Sequence, residues 1–328
     1  MNTKKLLTAS LSPHIRHEDN TQTIMADVLI ALIPALVWAG YIFGARALIL
    51  TAISVASCVI FEIVSCIVAK RPVRINDLSA VVTGVLLAYT LPPAAPVWMP
   101  VLGSFIAIVI TKQIFGGIGK NLLNPALSAR VILGLFPQAG HYTVPFEELP
   151  VFSWAVSAPA AETSLDSLYT GVIPQISEFD MFIGNRVGAI GEVSALLLLA
   201  GGLYLLARRV ISIHAPISFM AAVLLVAYIF PMNTFKEEFM LYQLLSGSVV
   251  FGAVFLSNDP ATTPLTSTGK IIFGAGCGLL TMLARYQGNF DGVYYAILIM
   301  NLLVPVIDKL MLPRPFGKAR EKNRKGEA

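Results

Sequence analysis

Residues 78–96 read LSAVVTGVLLAYTLPPAAP, and residues 244–264 read LLSGSVVFGAVFLSNDPATTP. Each is an apolar, glycine-containing helix that runs into prolines among small and polar residues. A shift of 168 lays one on the other, placing Gly84 on Gly252, Pro92 on Pro260 and Pro96 on Pro264. Asn121 falls on Asn289 at the same offset. Proline removes an amide donor and clashes with the preceding turn, so both stretches predict broken helices. Irregular backbone at membrane depth is tolerated only where it is buried in protein or lines a cavity.

Composition supports a membrane setting. The chain of 328 residues is 56% hydrophobic and 13% charged, with a mean hydropathy of +0.74. Soluble domains carry about 25% charged residues. The opening MNTKKLLTASLSPHIRHEDN is too polar to read as a secretory signal peptide. A bilayer-crossing helix needs about 20 mostly apolar residues. Ten spans are expected: 24–44, 47–69, 77–92, 97–116, 123–137, 188–207, 211–231, 240–257, 271–286 and 293–312. The third and fifth are short. Five spans per half would set the two repeats in opposite orientation, as in transporters whose sites lie on broken helices at the repeat interface.

Placing the N-terminus inside puts 18 Lys and Arg residues in inside segments and only Arg46, Arg186, Lys236 and Arg285 outside, with Arg130 within a span. The parts are then a cytoplasmic segment 1–23, a first five-helix repeat 24–137, an external loop 138–187, a second repeat 188–312 and a basic cytoplasmic tail 313–328. Within the spans, Glu62 is the best candidate for an ion path, with Glu192 second and Asp27 early in the first span. Ionisable groups in hydrocarbon are costly and face the bundle or water. The proline motifs supply Asn124, Asp259, Thr262 and Thr263 as candidate cofactor or ion contacts, against a plain reading as surface turns. Cys58, Cys66 and Cys277 form no CxxC, and the four histidines lack ligand spacing, so no metal or iron–sulfur site is expected. There is no GxGxxG or P-loop fingerprint. NAD binding and iron–sulfur clusters therefore belong to partner subunits, and nucleic acid is not an expected partner.

Four strings together carry a resemblance: LSPHIRHEDNTQTIMADVLIALIPAL (11–36), GGIGKNLLNPALSARVIL (116–133), DMFIGNRVGAIGEVSALLLLAGGLYLLARRVI (180–211) and FLSNDPATTPLTSTGKIIFGAGCGLLTMLAR (255–285). In this order they resemble the RnfD/NqrB family of membrane flavoproteins, and the length resembles its RnfD branch. The resemblance implies an all-α membrane fold of ten helices in two inverted repeats, similar to urea transporters. It implies a subunit of a bacterial or archaeal plasma-membrane complex that passes electrons between ferredoxin and NAD and moves Na⁺ or H⁺. It implies FMN joined through its phosphate to a threonine on the outer face, installed from FAD by a flavin transferase. A second, noncovalent flavin (riboflavin) would suit an inner site at Asn124, Asp259, Thr262 and Thr263. A flavoprotein on the outer face and iron–sulfur subunits are the implied partners. The family's acceptor motif falls on SAPAAETSL (157–165), with Thr163 as acceptor and Leu165 as the final leucine. Ser157, Ala160, Ala161, Glu162 and Ser164 depart from the usual pattern. Setting the motif on YTGVIP (169–174) would put Ile173 at the acceptor position; Ser164 and Thr170 stand as alternative hydroxyls. Two other readings stand beside this one: a solute channel or transporter of urea-transporter-like fold, and a structural subunit without flavin.

Overall fold

The computed structural model describes residues 20–311 apart from 73–74, 118, 137–162, 175, 187, 193, 233–235 and 290–291. All regular elements among the described residues are helical. They are α1 (Thr21–Phe43), α2 (Ala45–Val68), α3 (Ser79–Tyr89), α4 (Trp98–Phe105), α5 (Pro125–Gly134), α6 (Ser164–Tyr169), α7 (Glu178–Ile183), α8 (Ala195–Ala207), α9 (His214–Ile229), α10 (Lys236–Leu245), α11 (Val249–Phe251), α12 (Ser267–Tyr286) and α13 (Gly292–Met311). α4 continues into a π-helix, Ile106–Gln113, and α11 into another, Gly252–Leu256.

Local sequence explains where these helices begin. Side-chain oxygens of Asn20, Asn124, Ser194 and Thr266 take the free amides of α1, α5, α8 and α12. Pro125 follows its cap at the first helical position, where a missing amide costs nothing.

Among the described residues, four helices, α1, α2, α12 and α13, are long and apolar enough to cross a bilayer. The expected single span 240–257 is instead α10 and α11, bent by 60° at Ser246–Ser248; counted as one, the pair makes a fifth. The expected spans 77–92 and 123–137 hold helices of only 11 and 10 residues. These are half the crossing length of about 20 residues. Of the expected loop 138–187, the described part contains the short helices α6 and α7 rather than plain coil. Most of the segment 1–23 and the whole tail 313–328 lie outside the described residues. Adding 168 carries α2 over α9, α3 over α11 with its π-turn, and α5 over the start of α13.

The short helices lie innermost. Every residue of α3 except Val81 is buried, as are all of α11 and its π-turn. The long helices instead turn residues such as Ile33, Val37, Val64, Ile67 and Leu303 outward. The pattern fits helices that meet lipid on one side and protein on the other. A Cβ at Gly84 would stand 2.7 Å from the Val55 Cα, so α3 rests directly on the backbone of α2. Small residues permit such contact where water supplies no hydrophobic drive. The Tyr89 and Phe251 rings meet at 5.7 Å and join the two inner helices.

Gly84→Leu is therefore expected to destabilise the protein by about 1–3 kcal/mol through overpacking. Val64→Leu on the outward face should leave it unchanged. Thermal unfolding of the purified protein in detergent distinguishes the two.

Candidate functional site

The breaks around the inner helices free backbone carbonyls, and buried arginines take them. Segment 90–97, after α3, is buried throughout. Arg46, 2% exposed, donates from Nε to Pro93 O (3.0 Å) and from Nη2 to Ala95 O (2.9 Å). At the α10–α11 bend, Arg285 donates from Nη1 to Gln243 O (2.6 Å) and from Nη2 to Ser246 O (2.8 Å). Arg186 donates to Leu245 O and Glu192 O. Three of the four basic residues read as external flanks are thus clamps inside the protein.

Thr163 sits above this bend. It is the N-cap of α6: Asp166 N donates to its Oγ1 (3.3 Å), and its own N and Oγ1 donate to Asp166 Oδ2 at 2.7 and 2.6 Å. Leu165 seats α6 on Gly247, whose φ of +61° makes the bend. A Cβ there would stand 2.9 Å from Leu165 Cδ1 and 3.0 Å from Arg285 Nη2. Below lie Arg285 Nε and Ser246 Oγ, which lack hydrogen-bond partners within the described residues. Of the alternative hydroxyls, Ser164 is buried, and Thr170 is exposed and donates to Ser167 O (2.8 Å). The motif residues 157–162 lie outside the described residues. Glu192 belongs to the same end of the molecule. Its carboxylate takes hydrogen bonds from Ser248 and Tyr294 (3.3 Å), and Arg130 lies 5.6 Å from the Tyr294 ring centre.

Two of the proline motifs, around Pro125 and Pro260, meet at a different place. A cavity of about 640 Å³ is lined by Ser79, Lys112, Asn121, Asn124, Asp259 and Thr263, with the first turns of α1 and with Phe255 and Asp308. It joins residues from both halves of the chain. Asn124 spends its oxygen capping α5 at Ala126 N (3.1 Å). Asp259 accepts from Thr262 Oγ1 (3.1 Å), and its carbonyl from Thr263 Oγ1 (2.8 Å). Thr262 is buried and does not reach the cavity wall. Asn121 Oδ1, on that wall, has no partner within the described residues. The 20 residues of α12 separate the two places. Thr266 caps its cavity end, and Arg285 closes the Thr163 end, about 30 Å away at the helical rise.

Glu62 borders the cavity through a partner. Its Oε2 lies 2.6 Å from Lys112 Nζ, with exposures of 7% and 2%. Gln113 Nε2 donates to its other oxygen (3.2 Å), and Lys112 also donates to Ser79 Oγ (2.7 Å). By charge count Lys112 is a cytoplasmic flank; in the fold it is buried against a residue 50 positions away. Its one signal is a lysine standing before the end of an apolar run. Asp27 holds Tyr204 Oη (2.8 Å) and Arg208 Nε (3.2 Å) near the surface.

Removing one partner of a buried ion pair costs about 3–5 kcal/mol, whereas replacing both is often neutral. Lys112→Met is expected to show such a loss in thermal unfolding, and Glu62→Gln added to it should restore most of the stability.

A profile described as the NQR2, RnfD, RnfE family matches residues 8–317. The D-type subunit of the Na(+)-translocating ferredoxin:NAD(+) oxidoreductase complex of Acetobacterium woodii is 43% identical over 323 residues, covering 96% of this chain and 97% of that one. The D-type subunit of the proton-translocating ferredoxin:NAD(+) oxidoreductase complex of Clostridium ljungdahlii is 36% identical, covering 97% and 98%. The D-type subunit of an ion-translocating oxidoreductase complex of Stutzerimonas stutzeri is 38% identical, covering 90% and 92%.

Proposed function

The chain belongs to the NQR2, RnfD, RnfE family, and from that premise we propose that it is the D-type membrane subunit of an ion-translocating ferredoxin:NAD oxidoreductase complex. The observation that carries the reading is the pair of candidate carrier sites at opposite ends of α12, a helix long enough to cross the bilayer. One site has a side-chain hydroxyl fit for covalent attachment. The other is a cavity of cofactor size with a mixed apolar and polar wall.

At the outer site, Thr163 holds FMN through a phosphoester, installed from FAD by a flavin transferase. The donors there fit such a group: Arg285 Nε and Ser246 Oγ are buried and without partners within the described residues. At the inner site the cavity holds a second, noncovalent flavin of the riboflavin class, and the open Asn121 acceptor suits a ring N–H. Bound flavins supply the electron carriers; the chain holds them in place and keeps bulk water from the path between. The buried arginine clamps keep the outer bend rigid, and Leu165 fixes α6 over it. Both termini are cytoplasmic, which puts the cavity inside and Thr163 outside, facing a flavoprotein partner. The iron–sulfur clusters and NAD site belong to other subunits. The 168-residue offset between helices supports ten spans in two inverted, urea-transporter-like repeats in a bacterial inner membrane.

A structural subunit without flavin is the second reading. It is favoured by the cap at α6, where the Thr163 hydroxyl already serves Asp166. Gel fluorescence separates the two after expression with the transferase and the partner subunits. The redox reading expects a fluorescent wild-type band, an intact mass raised by one FMN, and a dark Thr163→Ala band. A dark wild-type band with unchanged mass would leave the flavin-free reading standing; a fluorescent Thr163→Ala band would move the attachment elsewhere.

A further inference from the structure

We propose that flavin is attached while α6 is undocked, and that α6 then seats on the α10–α11 bend and carries the attached group to it, so that the seat of α6 regulates its own modification. The inference rests on the reading of Thr163 as the acceptor.

Three features of the docked helix point this way. The acceptor hydroxyl is already spent: Thr163 Oγ1 donates to Asp166 Oδ2 at 2.6 Å and accepts from Asp166 N at 3.3 Å. Thr163 N donates to the same carboxylate oxygen at 2.7 Å, which ties the hydroxyl to the cap. Next, α6 has only 6 residues. Helix nucleation is unfavourable, and isolated helices shorter than about 12 residues are marginal in water. The cap therefore lasts only while the seat holds. Leu165 and Leu168, 7% and 1% exposed, make that seat; Leu165 rests on Gly247, and α6 packs along α10. The third feature lies beneath the helix. Arg285 and Ser246 are 3% and 0% exposed, yet Arg285 Nε and Ser246 Oγ have no hydrogen-bond partner within the described residues. Buried donors are normally paired. Both suit an acceptor group that arrives with α6.

The order of events follows from these contacts. Undocked, the segment loses helix and cap, and Thr163 Oγ1 is free to react with FAD on the transferase. Oγ1 bonds to the flavin-side phosphorus, and the bond from that phosphorus to the bridging oxygen breaks. AMP leaves with that oxygen, and the threonine proton passes to water. No electron moves. The ester oxygen then has no proton to give Asp166, so the old cap does not return unchanged. When Leu165 and Leu168 seat again, the donors of Arg285 and Ser246 take the phosphoester oxygens. An acceptor competent only in a minor state meets its enzyme in proportion to that state's population.

The test is the rate at which purified transferase and FAD label the purified whole complex, made in cells that lack the transferase. Gel fluorescence and intact mass follow the reaction. Leu168→Ala loosens the seat, whereas Asp166→Ala frees the hydroxyl and leaves both leucines in place. Leu168→Ala should label faster than wild type by about tenfold or more, as expected for a buried leucine cut to alanine. Asp166→Ala should label faster by about fivefold, as expected for a lost cap. Both should end at one FMN per chain. A rate at or below that of wild type in either variant means that the transferase reads the docked helix. It overturns the inference, while a fluorescent wild-type band leaves the Thr163 reading intact. A wild-type complex that is never labelled overturns that reading, and the inference with it.

Discussion

A carbonyl freed at membrane depth needs a donor from within the protein, because no water reaches it. This constraint is met by buried arginines. Arg46 answers Pro93 and Ala95; Arg285 answers Gln243 and Ser246; Arg186 answers Leu245. Without those donors the bends beside α3 and α11 would have no partner for their backbone. With them, two short helices end in the interior, and chemistry has room beside their ends. Arginine suits the role because its fork of donors reaches two carbonyls at once and stays charged when buried.

The clamps also fix how the two places of interest relate. Thr163, Leu165 and Gly247 lie at the Arg285 end of α12, and the cavity lies at the Thr266 end. Between them the inner helices meet ring to ring. Tyr89 lies 5.7 Å from Phe251, which lies 6.0 Å from Phe255 on the cavity wall. A Cβ on Gly191, beside Glu192, would stand 2.5 Å from Tyr89 Cβ. The interior is thus closely packed from one place to the other, with polar groups gathered at both ends.

Much of this is legible in the sequence, for physical reasons. Apolar runs and their caps locate the helices, because Asn20, Asn124 and Thr266 mark starts by a local rule. Proline clusters mark the breaks, and Asn124, Asp259 and Thr263, which stand beside two of them, line one cavity. What stays hidden depends on contacts distant in sequence. Glu62 is visible as a buried acid, but Lys112 is not visible as its partner, since a lysine near a span end also reads as a flank. Arg46, Arg186 and Arg285 mislead in the same way. A charge count registers their sign, whereas their role lies in carbonyls elsewhere in the chain. The 60° bend at Ser246–Ser248 reads as straight because its residues are small and its only strong signal is one glycine.

The proposal that one chain holds carriers on opposite faces of the membrane is tested most directly by cysteine labelling with an impermeant maleimide. The three native cysteines are buried, while Val172, beyond α6, and Leu265, at the cavity, are 58% and 80% exposed. Val172→Cys is expected to be labelled from the outside of intact cells, and Leu265→Cys only in inverted vesicles. Labelling of both from the same face would contradict an arrangement of carriers across the bilayer.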